Sequence, residues 1–292
     1  MRLYLSAMRI NDIKRYRERR PDAKLNVLLS YPYLNGDTSE ILAMWNRGEL
    51  SSVILDSGAY TDQNAQRPTN LAAYIAYLQG CGQQYDHYFN LDSDFSEMGF
   101  SAQNLENLIQ MRQAGLDPVP VIHSVYGGEV QYYVNQASPI VALGSAQARD
   151  MRVMRRVFAA FLNLQTKFHI FGATDYSRLI EVPAFSCDSS TWRRAGIPCH
   201  LRWWNPASPA VDKTEKIYFG SFDRERNDPT PYFNEYRYLG ELQAYLKEEL
   251  NFELYQLVGP YRVENLMTAN IHHFVKLEKL ITEEHLRRGF PY

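Results

Sequence analysis

The chain has 292 residues, 45 % of them hydrophobic and 22 % charged, which is the balance of a globular protein with a sizeable core and a length ordinary for one α/β barrel. A formal net charge of −2 excludes a polycation that holds nucleic acid by bulk charge, and the three scattered cysteines Cys81, Cys187 and Cys199 exclude a disulfide framework or a Cys-rich zinc site. No apolar run approaches the roughly 20 residues of a membrane helix, and residues 1–20 turn charged too soon for a signal peptide, so a cytoplasmic protein is expected, in the host cytoplasm if the source is viral.

Short apolar runs alternate with helical patterns, the signature of βα units and a parallel sheet. In chain order the predicted strands are Leu25–Tyr31, Ser52–Asp56, His87–Asp92, Val119–Ser124, Ile140–Gly144, Phe168–Gly172, Ala184–Asp188 and Lys216–Gly220. Eight such strands are what a closed (β/α)8 barrel of the TIM type requires. Predicted helices lie between them. Thr38–Trp45 follows a cap region at Asp37-Thr38-Ser39, Asn70–Leu78 follows Pro68-Thr69, and Ser101–Gln113 opens on a serine cap and stops at Gly115. Gln147–Leu164 carries Met151, Met154, Val157, Phe158 and Phe161 on one side, a spacing that fits core packing. Pro231–Leu250 and Val263–Arg288 read as long helices, so residues 230–292 form a largely helical C-terminal part of a single domain spanning 1–292, with no zinc subdomain.

The strand ends carry the chemistry. They finish in Ile54-Leu55-Asp56-Ser57-Gly58, Phe89-Asn90-Leu91-Asp92-Ser93-Asp94, Val121-Ile122-His123-Ser124, Ala142-Leu143-Gly144-Ser145 and Phe185-Ser186-Cys187-Asp188-Ser189-Ser190. In an α/β barrel the C-terminal strand ends share one mouth, so Asp56, Asp92 and Asp188 converge there. One such carboxylate can simply cap the next helix. Three together fit acid/base, nucleophilic or metal-binding work better, because each unpaired buried carboxylate costs several kcal/mol.

These segments resemble the tRNA-guanine transglycosylases and their phage and bacterial DNA-modifying relatives, in the family's order and across the middle half of the chain. Asp56-Ser57-Gly58-Ala59-Tyr60 is similar to the family's Asp-Ser-Gly-Gly-Phe segment, and Asn90-Leu91-Asp92 stands where a base-reading aspartate ends the next strand. Val121-Ile122-His123 through Gly127-Gly128 resembles the strand that ends in a Gln-Gly-Gly loop, and Leu143-Gly144-Ser145 the turn that lines the guanine pocket. Phe171-Gly172-Ala173 resembles the Met-Gly-Val-Gly strand, and Phe185-Ser186-Cys187-Asp188 the region that carries the nucleophile. The family's Cys-rich zinc site is absent, and Ser189-Ser190-Thr191-Trp192-Arg193-Arg194 departs from the tRNA-modifying pattern. Both departures favour the branch that inserts 7-deazaguanines into DNA, with tRNA as the alternative substrate.

The resemblance implies a base exchange with retention at the sugar carbon, through two inversions at a carboxylate nucleophile. Asp188 takes that role, and Asp56 is the acid/base for the departing and incoming purines. Asp92, with Asp94 as understudy, accepts from the donor edge of guanine. The backbone at Gly144-Ser145 donates to the purine carbonyl, Tyr60 covers the base, and Ser57, Gly58 and His123 complete the pocket. His123 is balanced evenly between a structural and a functional role. No cofactor or metal is expected. The partners are a nucleic acid with its target base flipped out or single-stranded, and a free guanine or 7-deazaguanine; a homodimer stays open.

Basic stripes at Lys14, Arg15, Arg17, Arg19 and Arg20 and at Arg149, Arg152, Arg155 and Arg156 are equally well read as solvated helix faces. Arg193, Arg194 and Arg202 are interleaved with Trp192, Trp203 and Trp204, a mixture suited to bases and phosphates, and form the expected nucleic-acid surface. Cys199-His200 and His272-His273 read as structural. Two rivals compete: a metal-dependent hydrolase on the same barrel, which would call for a His-x-His pair that the chain lacks, and a transglycosylase-like subunit that only binds nucleic acid.

Overall fold

In a computed structural model the described residues are 1–59, 69–144, 146, 149–195, 199–210, 213–220 and 229–290, with the side chains of residues 194 and 195 excepted. The chain packs into two compact units: Met1–Met8, Lys24–Ser189 and Glu284–Tyr292 form one, Arg9–Ala23 and Ser190–Glu283 the other.

The first unit is α/β. Its sheet is parallel throughout, in the order β4-β3-β2-β1-β8-β7-β6-β5, from β1 (Arg2–Ser6), β2 (Asn26–Ser30), β3 (Ser52–Asp56), β4 (His87–Tyr88), β5 (Val121–Ile122), β6 (Ile140–Leu143), β7 (Lys167–Ile170) and β8 (Ser186–Ser189). Consecutive strands are sheet neighbours except β4 and β5, which stand at the two ends of the sheet, and β1 lies beside β8. The two outermost strands, β4 and β5, are themselves linked by a parallel bridge between Phe89 and Val119. There the Val119 amide donates to Tyr88 O at 2.8 Å and the Asn90 amide to Val119 O at 2.9 Å. The sheet curls around a core of Tyr4, Leu28, Ile54, Phe89, Val119, Val121 and Ala142, all buried. The result is a TIM-like arrangement of curled parallel sheet and helices.

Two strands are much shorter than predicted, at two residues each. The strand β4 spans only His87–Tyr88, with single contacts continuing through Phe89 and Asn90, and β5 holds only Val121–Ile122; Pro118 and Pro120 flank Val119, and neither can donate to a ladder. The predicted eighth strand is also reassigned. Lys216–Gly220 overlaps β10 (Thr214–Tyr218), which pairs antiparallel with β9 (His200–Trp204) in the second unit. The place beside β8 is taken instead by β1, whose Leu3, Tyr4 and Leu5 are buried. Most helices sit close to expectation: Gly36–Asn46 is capped by Asn35 rather than by Asp37-Thr38-Ser39, Leu71–Cys81 by Asn70, Ala102–Gln113 by Ser101, and Met151–Ala160 by Asp150, whereas the helix expected over Pro231–Leu250 begins only at Leu239, after a 3-10 turn at Phe233–Glu235.

The second unit joins the helices Ile10–Arg19, Leu239–Leu250 and most of Arg262–Arg287 to the β9–β10 hairpin. Tyr16 bonds His272 Nδ1 at 3.0 Å, and Glu249 pairs with both Arg20 and Lys276. No described helix is long and apolar enough to cross a membrane.

Candidate active site

A parallel sheet sends every strand's C-terminal end to the same edge, and the acids sit there. Asp56 is the last residue of β3, Asp188 the third of β8, and Asp92 follows β4 by four positions. Asp56 and Asp188 share this edge with His123 after β5, Gly144 after β6 and Gly172 after β7.

Asp56 keeps some solvent contact but is hemmed in by protein. Its carboxyl is pushed up to about 7, by loss of water first and then by the negative charges of Asp188 and Asp92. The Gly58 amide, donating to Oδ2 at 3.1 Å, and the Ser30 hydroxyl oppose that rise without cancelling it. Asp56 is thus a carboxyl able to hold or release a proton near neutral pH.

Asp188 is buried, with the Gly172 amide donating to Oδ1 at 2.8 Å. His169 Nε2 lies 3.7 Å from the same oxygen, and its Nδ1 is 2.9 Å from Ser186 Oγ.

Asp92 is held at both oxygens. Asn90 Nδ2 donates to Oδ1 at 2.6 Å, and His123 Nε2 lies 2.8 Å from Oδ2. Burial works against a charged His123 ring, yet the bond and charge of Asp92, with Glu129 and Asp94 behind it, bring the imidazole above its ordinary value. The ring of Phe95 stands edge-on to it at 4.9 Å. His123 is therefore half of a buried His–carboxylate pair.

Glu129 belongs to this group and went unnoticed in the sequence. It is 1 % exposed, its Oε2 accepts from the amides of His123 at 3.0 Å and Ser124 at 2.6 Å, and burial pushes its carboxyl up to about 7. The signal was an acid directly after Gly127-Gly128, at the first position of the helix Glu129–Gln136, where an acid suits the helix dipole.

The remaining predicted residues separate. Ser57 is buried beside Asp56. Gly58 has φ +82°, and a Cβ there would sit 2.2 Å from Pro32 Cδ, so its glycine is explained by backbone geometry. Asp94 is exposed and accepts from the Ser96 amide at 2.8 Å, a turn role. The Gly144 amide donates to Ile122 O at 2.9 Å within the sheet, so its hydrogen is engaged there rather than available for a purine carbonyl. Tyr60, Ser145 and the Arg194 side chain lie outside the described residues.

Of the expected nucleic-acid surface, Trp192 is fully buried and offers no face for stacking. Its carbonyl accepts from Asn270 at 3.1 Å, and the exposed Arg193 guanidinium lies 6.0 Å from its ring. Arg202 is half-buried in β9, with its amide donating to Asn270 Oδ1 at 2.7 Å. These residues belong to the second unit, whereas the acids belong to the first. The stripe at residues 14–20 is spent in part on pairs with Asp12, Glu249 and the carbonyls of Leu250 and Asn251. Arg152 and Arg155 pair with Asp150 and Glu181.

Among the described residues no group of three or more His, Cys, Asp and Glu side chains is arranged to hold a metal ion. Fold and site together define an α/β protein with a TIM-like parallel sheet and an acid cluster at its C-terminal edge. Neither a family model nor a curated protein matches the chain.

Proposed function

We propose that the chain is a base-exchange transglycosylase that replaces guanine in DNA with a 7-deazaguanine derivative through a covalent aspartyl–nucleotide intermediate. The observation that carries this reading is the pairing of Asp56, raised to about 7, with Asp188 and Asp92 at one strand edge. Cleaving an N-glycosidic bond with retention needs one carboxylate to attack the sugar carbon and a second carboxyl, protonated near neutral pH, to protonate the leaving base. Asp188 is assigned the attack and Asp56 the proton. Asp92, steadied by Asn90 and His123, offers its acceptors to the N1–H and amino edge of guanine. The Phe89–Val119 bridge between β4 and β5 supports a closed (β/α)8 barrel as the frame for this site. The resemblance of the strand-end segments to the transglycosylases, without their cysteine-rich zinc site, favours DNA over tRNA.

The test is incubation of the protein with labelled guanine and, in parallel, duplex DNA, single-stranded DNA and tRNA. Label is expected to enter DNA, and a covalent protein–DNA adduct to survive denaturation. Asp188→Asn is expected to lose both while keeping its fold. Exchange that persists in Asp188→Asn removes the nucleophile assignment, and label entering tRNA alone shifts the substrate to tRNA.

A further inference from the structure

His169 lies outside the set of residues to which the reaction above gives a task, yet its chemistry is constrained on every side. It is 1 % exposed on β7, with Phe171 at 4.7 Å, Phe89 at 5.0 Å and Tyr4 at 6.1 Å between ring centroids. Its Nε2 is a buried polar atom without a hydrogen-bond partner, and what faces it is Asp188 Oδ1, 3.7 Å away. Its Nδ1 is within hydrogen-bond distance of Ser186 Oγ. A carboxylate only accepts, so the contact with Asp188 is favourable when Nε2 carries the ring proton. Nδ1 is then the acceptor and Ser186 the donor. Gly172 N–H already holds the same Oδ1, and among the described residues no donor reaches Oδ2.

We propose that His169 is a positioning residue for Asp188: with its proton on Nε2, it and the Gly172 amide hold Oδ1 and leave Oδ2 as the oxygen that bonds the sugar carbon. This deepens the transglycosylase reading and rests on it for the sugar. In the first half-reaction the Oδ2–C1′ bond forms as the C1′–N9 bond breaks, and the electron pair leaves with the purine, which takes its proton from Asp56. Oδ1 then becomes the carbonyl oxygen of the ester. In the second half the incoming purine gives its proton to Asp56 and attacks C1′, and the Oδ2–C1′ pair returns to the carboxylate. Donors on Oδ1 stabilise that carboxylate as a leaving group, so His169 acts most on the breakdown of the intermediate. It approaches Oδ1 by under an ångström to make a full hydrogen bond.

Two measurements on the whole protein test this separately. The 15N spectrum of the imidazoles, with His169 assigned by its loss in His169→Gln, is expected to show the Nε2–H tautomer. Asp188→Asn is expected to shift the Nε2 resonance, and Ser186→Ala to erode the tautomer preference. An Nδ1–H tautomer, or a spectrum indifferent to Asp188→Asn, overturns the proposal whatever the protein's substrate. In the reaction, His169→Phe is expected to lengthen the lifetime of the trapped adduct about tenfold, the scale of one lost hydrogen bond to a charged group, lowering kcat and the KM for the polynucleotide together so that their ratio is little changed. His169→Gln, which keeps a donor, is expected to recover part of that loss. An unchanged adduct lifetime in a folded His169→Phe also overturns it. Should the wild-type protein form no adduct with any polynucleotide, the function reading falls, and the 15N result alone decides whether His169 and Asp188 act as a pair.

Discussion

Asp56 ties protonation to stability as well as to chemistry. Its carboxyl titrates near 7 in the folded chain and near 3.8 in an ordinary setting, so the folded state binds this proton more tightly than the unfolded one. Stability from that proton is fully present below about pH 3.8 and is lost as pH rises through 7. Asp56→Asn removes the titration. The variant is expected to gain on the order of 1 kcal/mol over the wild type at pH 8, a figure discounted for Asp56's solvent contact, and to gain nothing at pH 4. Urea midpoints of both proteins at the two pH values check this; an equal difference at both would show that Asp56 does not carry the shift. Glu129 titrates in the same range, which is why the comparison must be a difference between variants and not the wild-type profile alone.

Loops over the strand ends are shaped by close backbone approaches at the scale of elements. Gly58 after β3 presses on Pro32 after β2, and Gly127 after β5 comes against the Phe100 backbone, where a Cβ would lie 2.8 Å from the amide nitrogen. Both glycines have positive φ. Gly58→Ala is expected to cost about 1–3 kcal/mol by denaturant titration, from strain and overpacking together. Pro32→Ala in the same chain is expected to return part of it, since the clash partner is gone. A cost unchanged by Pro32→Ala would assign the whole penalty to the backbone angle.

Much of this layout was legible in the residues, for physical reasons. β2, β3 and β6 are short, largely apolar runs buried on both faces, the pattern of a parallel sheet, and the polar residues at and after the strand ends announced the acid edge. Helix caps at Asn70 and Ser101 were equally plain. β10 was misplaced because it too is a short apolar-tinged run, although Ile217 is its only buried residue and its partner β9 alternates in burial, as an antiparallel hairpin half in water does. β1 escaped because Arg2 and Ser6 break up a run of only three apolar residues. The site divides the same way. Asp56, Asp92 and Asp188 stand at strand ends in the sequence itself, but the His169–Asp188 and His123–Asp92 contacts join residues 19 and 31 positions apart, and only the fold brings them together.

At the scale of the molecule, the two edges of the curled sheet in the first unit meet, among the described residues, only at the Phe89–Val119 bridge. If β4 and β5 are closed there, the amides of Asn90 and Val119 are expected to exchange with deuterium as slowly as those of β2 in the centre of the sheet, because each donates across the join. Rapid exchange confined to these two amides would mean an open sheet. The second unit has a different dependence. Its first helix, Ile10–Arg19, finds its partners far along the chain: Tyr16 bonds His272, 256 residues later, and Arg20 pairs with Glu249. A ribosome adding about 5–20 residues per second leaves that helix, with its fully buried Tyr16, waiting roughly 10–50 s for the other half of its packing surface. Nascent chains of this protein are therefore obliged to carry a basic amphipathic helix with its Ile10, Ile13 and Tyr16 face uncovered until residues near 272 have been made, a natural target for a holdase chaperone.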